Sequence, residues 1–215
     1  MQYSHMIIPR LPESPSTLAE AADLLSCGPR HMVDAPHAST ASQPQPEVQF
    51  AAGHSEAVLY LWYLVREPTV RAVHTLPQSP VCQDSCVEMF FAPHENVYLN
   101  LEWNAIGTLL AGRGPARAGR EPLSMEQLGQ IRQQASLGSL PFEERPQPEP
   151  WTLTAAVPFE ILELDPEQIS GRTFRANFYK CGDRLATPHY LSWNPVPTPN
   201  PDFHRPEHFG SVAFA

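Results

Sequence analysis

Glu88, in the run DSCVEMFF (84–91), and Glu102, in VYLNLEWN (97–104), are the side chains of this sequence best suited to chemistry. If the two runs are neighbouring strands, side-chain alternation brings both carboxylates to one face of a sheet. Such a pair could act in two ways. As a glycosidase dyad it needs a gap of roughly 5–10 Å and one raised pKa. As a pair of hydrogen-bond acceptors it needs only a ligand rich in hydroxyls. The sequence offers no Gly-x-Ser-x-Gly, no Gly-Lys-Ser/Thr phosphate loop and no His-Glu-x-x-His, so nothing else in it supports bond cleavage. Saccharide binding draws on residues it does have. Asn100, Arg113, Asn177 and Asn194 are further candidates for hydroxyl edges, and Tyr179, Tyr190 and Trp193 are candidate platforms for the apolar face of a pyranose. Trp62, Trp103 and Trp151 lie in apolar alternations and are expected in the core, whereas Trp193 lies in a proline-rich stretch and is expected at the site.

Other chemistries find less support. The cysteines Cys27, Cys82, Cys86 and Cys181 have no paired Cys-x-x-Cys halves and read as free thiols. Asp84, Asp183 and Asp202 could lend oxygens to a calcium ion, without a loop spacing that commits them. His204, in Asp202-Phe203-His204-Arg205-Pro206, reads as a hydrogen-bonder that fixes its loop.

The elements that must carry these residues are strands. Twenty-five prolines against 11 glycines argue against long helices and for short strands joined by rigid loops. Residues 15–28 form the one clear helix signal near the start, with Thr17 and Glu20 as a capping box and Gly28-Pro29 as the stop. AVLYLWYLVRE (57–67) is too continuously apolar for an edge and reads as a central strand. The runs at 84–91, 97–104 and 107–113 should form a meander, and 131–136 should pair with 151–157. In 172–181 the set Phe174, Ala176, Phe178 opposes Thr173, Arg175, Asn177, Tyr179, Cys181. The expected fold is therefore all-β, a two-sheet antiparallel sandwich with a short N-terminal helix and long proline-rich loops. Residues 1–45 form the helix and loop packed on it, and 46–215 the sandwich. A formal net charge of −9 repels a phosphate backbone and an anionic bilayer, which argues against nucleic-acid and membrane partners. Met1–Arg10 lacks a leader pattern and no apolar run reaches spanning length, so a cytoplasmic location is expected.

At four places a family resemblance enters. DSCVEMFF (84–91), NLEWNAIGTLLAGRG (100–114), RANFYKCGD (175–183) and PHYLSWNP with PDFHRPEHFG (188–195, 201–210) are similar, in order, to the bacterial proteins related to family-9 carbohydrate-binding modules. The resemblance spans about residue 46 to the C-terminus. It implies an immunoglobulin-like or jelly-roll-like sandwich, non-catalytic saccharide binding by an aromatic clamp and polar groups, a link to carbohydrate catabolism, and structural calcium in some members. By motif, Glu88 matches the acid that hydrogen-bonds sugar, Trp193 the late tryptophan that stacks on it, and Asn177 lies on the strand that contributes an amide. One position departs: Cys82 stands where sugar-binding relatives carry the other aromatic jaw, which implies weak affinity or a different ligand. The wider superfamily of DOMON-related sandwiches includes haem-binding domains with Met and His ligation. Met6, Met32, Met89 and nine histidines offer no evident pairing here, so haem is the least favoured cofactor. The alternative enzymatic reading is a small glycoside-processing protein using Glu88 and Glu102.

Overall fold

Short runs of Val, Leu and aromatic residues cut by prolines fold as strands throughout the computed structural model, which describes residues 4–215. The described chain opens with β1 (His5–Ile8), helix α1 (Leu18–Ser26) and two short strands, β2 (His31–Met32) and β3 (Ala35–Pro36). Then come β4 (Glu47–His54), β5 (Val58–Arg66) and β6 (Thr69–Ala72). A 3-10 turn at Val81–Gln83 leads into the meander β7 (Cys86–His94), β8 (Val97–Asn104) and β9 (Leu109–Gly114). Beyond it lie β10 (Glu121–Pro122), α2 (Met125–Gln130), β11 (Arg132–Ala135), β12 (Phe142–Pro146) and β13 (Trp151–Pro158). The chain closes with β14 (Thr173–Cys181), β15 (Tyr190–Ser192), a 3-10 turn at Pro206–His208 and β16 (Gly210–Phe214).

Two sheets make the sandwich. The larger runs β1-β16-β14-β7-β8-β9-β10, with β15 and β3 added beside β14, and the smaller runs β11-β13-β5-β4-β2. The expected meander, the central position of β5 and the pairing of β11 with β13 are all present. Inner faces interdigitate through Phe50, Leu61, Tyr63, Val87, Met89, Leu101, Trp103, Trp151, Leu153 and Phe178, which form one continuous core. Trp62, also buried, lies instead on the outer face of the small sheet, where Ala21 and Leu25 of α1 cover it. Prolines sit where a missing N–H costs no ladder bond: in the two-residue strands β3 and β10, at the ends of β12 and β13, and as Pro93 where the β7–β8 register shifts.

The helix begins as expected, the Thr17 hydroxyl accepting from the Glu20 amide at 3.2 Å, while the Glu20 carboxylate reaches back to accept from the Ser16 amide and hydroxyl, both at 2.8 Å. The first forty-five residues do more than lie on the sandwich. β1 runs parallel to β16, β2 extends the small sheet beside β4, and β3 pairs with Leu191 and Ser192. Runs of two to four residues carry too little period-2 pattern to be read as strands before their partners are known.

Candidate functional site

The outer face of the large sheet is polar and buried, and strand register assembles it. Across β14, β7 and β8, Tyr179 stands beside Glu88 and Glu88 beside Glu102; one step along, Cys181 stands beside Cys86 and Cys86 beside Asn104. The segment after β15 folds over part of this face, laying Val196, Phe203 and Phe209 on Phe90, Tyr98 and Tyr179. Where the cover ends, a pocket of about 90 Å³ opens, floored by Glu88, Glu102 and Cys181 and walled by Cys82, Asp183, Tyr190 and Phe203.

The floor is short of positive charge. Glu88 is 2% exposed and its nearest donor is the Cys181 thiol, 3.0 Å from Oε1. Burial, with Glu102 opposite adding its own charge, holds the Glu88 carboxyl well above the usual carboxylate range. Burial also raises Glu102, to about 7, although Arg120 and a hydrogen bond from Asn100 Nδ2 at 2.9 Å oppose the rise. Asp183 at the wall is raised by burial too, while Cys82 and Tyr190 hydrogen-bond its carboxylate. At the mouth Arg117 lies 3.6 Å from Asp202. Phe203 is held flat by Tyr179, whose ring stacks at 4.1 Å and 11° and whose hydroxyl donates to the Phe203 carbonyl at 3.1 Å. Tyr190 meets the Phe203 ring edge-on at 6.3 Å. Hydroxyl acceptors below and two aromatic rings at the side are thus presented together.

Of the residues singled out from sequence, Glu88 and Glu102 line this pocket. Asn100 lies behind Glu102, accepting from Arg120 through Oδ1 while donating to Glu102, and Tyr179 acts through Phe203. Four others are placed elsewhere. Trp193 does not form a platform: its indole is in the core, edge-on to Phe50 and Phe178, and lies so close over Gly210 that a Cβ there would come within 2.5 Å of it. The physical reason is that the backbone past β15 stays paired, Trp193 N donating to the Phe178 carbonyl at 2.8 Å, so alternation turns Tyr190 outward and Trp193 inward. Asn177 and Asn194 bind each other: Asn177 Oδ1 accepts from Asn194 N and Asn177 Nδ2 donates to the Asn194 carbonyl, both at 2.9 Å. The Asn194 side chain is further held by Ser4 N and the His208 carbonyl. Arg113 alternates to the opposite face of β9 from the pocket and pairs with Glu163.

His204 fixes its loop as expected, Nδ1 lying 2.9 Å from the Tyr98 hydroxyl. Phe203 and Arg117 were not singled out as site residues. Phe203 had a signal, an aromatic in a proline-flanked run, while nothing in the spacing marks Arg117.

Calcium does not fit Asp84. Its Oδ2 already accepts from the Val73 and His74 amides at 3.0 Å and from Asn104 Nδ2 at 2.9 Å, and Arg71 Nε stands 3.4 Å from Oδ1. Asp84 is a buried brace for the turn after β6. Among the described residues, one group of metal-ligating atoms does converge, those of Cys86, Glu88 and Cys181, all within 4.8 Å of one another. No helix is long and apolar enough to cross a membrane among the described residues.

Comparison with known proteins agrees with this architecture. The sequence profile of carbohydrate-binding family 9 matches residues 33–214. A Bacteroides uniformis protein proposed to bind carbohydrate is 33% identical, with a TM-score of 0.90 over 100% of both chains. A family-9 carbohydrate-binding module of Caldicellulosiruptor kristjanssonii in complex with cellotriose superposes with a TM-score of 0.63 at 12% identity, covering 98% of this chain and 93% of that one. A module of the same family and organism in complex with glucose gives 0.60 at 13% identity, covering 99% and 96%. No curated protein matches the chain.

Proposed function

Since the chain belongs to carbohydrate-binding family 9, we propose that it binds a saccharide without cleaving it, in the pocket floored by Glu88 and Glu102. One observation carries this reading: two buried carboxyl groups, one of them, Glu88, with only a thiol as its donor, face the same small space as the rings of Tyr190 and Phe203. A buried acceptor with a weak partner is a cost to the fold, and a hydroxyl-bearing ligand relieves it. The rings supply what carboxylates cannot, an apolar surface for the C–H face of a sugar. At about 90 Å³, against roughly 300–1,000 Å³ for pockets of drug-sized ligands, the space admits one sugar unit or the edge of one. Recognition of a terminal unit follows. The two roles first assigned to Cys82 and Trp193 change accordingly: Cys82 is part of the wall, and the aromatic surface comes from Tyr190 and Phe203.

In this reading the acids are hydrogen-bond acceptors, cross-strand neighbours that share the pocket floor.

Calorimetric titration with mono- and oligosaccharides, glucose and cellotriose among them, tests the reading. Saturable heat is expected, weakened about 10-fold or more in Glu102→Gln, the loss expected for a hydrogen bond to a charged group. No heat from any sugar with the folded wild-type protein would overturn it.

A further inference from the structure

The saccharide reading leaves one feature unused: the Cys181 thiol at the pocket floor has a second thiol, the fully buried Cys86, directly opposite it. Cys86 and Cys181 are cross-strand partners on β7 and β14, and Glu88 follows Cys86 by two residues on the same face. Their ligating atoms lie within 4.8 Å of one another, and the Cys181 Sγ to Glu88 Oε1 distance is already 3.0 Å. In a tetrahedral zinc site, Zn–S bonds of about 2.3 Å place two sulfurs about 3.7 Å apart. Side-chain rotation alone spans the difference.

We propose that Cys86, Glu88 and Cys181 form a zinc site at the floor of the pocket, with the fourth coordination position facing Cys82 and the open space.

Three arguments support a soft divalent cation over other occupants. The donor set is two sulfurs and one carboxylate, which suits zinc and does not suit calcium or magnesium, both of which take oxygen ligands. The three side chains project from two paired strands of one sheet, so their positions are fixed by backbone hydrogen bonds and need no loop to close. The charge balance also demands a cation. The Glu88 carboxyl meets a thiol and not a cation, its Oε1 accepting from Cys181 Sγ at 3.0 Å, with Glu102 its cross-strand neighbour. A bound dication supplies the missing charge and turns both thiols into thiolates. Binding is balanced by protons: each thiol, and the Glu88 carboxyl where it is protonated, releases its proton to the buffer as its bond to the metal forms, and no electron moves. Three protein ligands and a fourth position open to a pocket is the arrangement of zinc sites that also contact a small molecule. The proposal stands whether or not a sugar enters.

The test uses the full chain, reduced with a phosphine and stripped by a chelator, in the absence of sugar. Titration with Zn2+ in buffers of different ionisation heat should show one equivalent bound and about two to three protons released, the third from Glu88. Co2+ in place of zinc should give thiolate-to-cobalt charge-transfer absorption and the intense visible bands of a tetrahedral ion. Cys181→Ser should weaken zinc by more than the roughly 100-fold upper end for loss of an outer-shell partner. Cys27→Ser, at the exposed end of α1, should leave it unchanged. A folded, reduced wild type that takes up no zinc, or a cobalt form without the thiolate band, would overturn the site. Because the wild-type cobalt spectrum decides alone, misfolding of a variant does not rescue the proposal. Sugar titration of the stripped protein separates failure here from failure of the saccharide reading.

Discussion

Strand β14 carries two buried polar clusters back to back, and they are built in opposite ways. Lys180 points inward. Its ammonium donates to the Cys181 carbonyl at 3.0 Å and to His189 Nε2 at 2.8 Å and pairs with Glu67 at 2.8 Å, while Trp151 Nε1 donates to the other Glu67 oxygen at 2.7 Å. Burial and the Lys180 charge push His189 down to about 2, so its imidazole is neutral and accepts. Every charge in that cluster is matched. Cys181, the next residue, points outward to Cys86, Glu88 and Glu102, where the acids oppose each other and thiols are the donors to Glu88. Burying polar groups does not by itself mark a site. A cluster whose charges are matched braces the two sheets, and a cluster whose charges are unmatched is where a ligand can supply what is missing.

The sharpest way to break this contrast is to remove one carboxylate from each cluster. Glu67→Gln leaves a fully buried ammonium without its counter-charge and should cost about 3–5 kcal/mol, read from urea unfolding. Glu88→Gln replaces a carboxyl that has no counter-ion and should cost less than about 1 kcal/mol or stabilise. Equal costs would mean that both clusters are braces. The aromatic residues give a smaller contrast. Trp193→Phe should lose about 1–3 kcal/mol of stability, as a large-to-small core change, while sugar affinity stays within about twofold. Phe203→Ala should do the reverse, weakening sugar about 10-fold through loss of an aromatic face with little change in the unfolding midpoint. Affinity lost in Trp193→Phe and kept in Phe203→Ala would return the platform to Trp193.

The same contrast explains how far the sequence could be read. Period-2 alternation showed the meander, the polar face of β8 and the Glu88–Glu102 pairing, because register follows from a buried inner face. It could not show that Trp193 continues β15, since one proline-flanked aromatic looks the same in a loop and at the end of a three-residue strand. Nor could it tell Arg113 from Arg117 or Arg120 as the cation near the acids: the first faces away on β9 and the others reach in from the excursion between β9 and β10. Asn177 and Asn194 were legible as polar residues, but only tertiary pairing shows that each satisfies the other. Cys181 gave no spacing signal because its partners lie 95 and 93 residues away in the chain, as the register and the thiol–carboxylate contact show.

The last effect is the one that reads the charge imbalance directly. Glu102 has a folded pKa of about 7 against an ordinary 4.5, so between those values the folded state holds more protons than the unfolded one. Stability rises with pH only where the unfolded state binds more protons, so here the sign is negative. The contribution is fully present below about pH 4.5 and is lost as pH rises through about 7. Glu88, raised by the same burial, adds to the loss in the same direction. Unfolding free energy should therefore fall across this window, each group contributing a slope of at most about 1.4 kcal/mol per pH unit. Glu102→Gln should flatten the slope and leave the stability at the acid end nearly unchanged. Glu67→Gln should shift the whole curve down without removing the slope. A wild-type curve that is flat from pH 4.5 to 7 would show that the carboxyls on the outer face of β14 are already matched, and the distinction between its two faces would be lost.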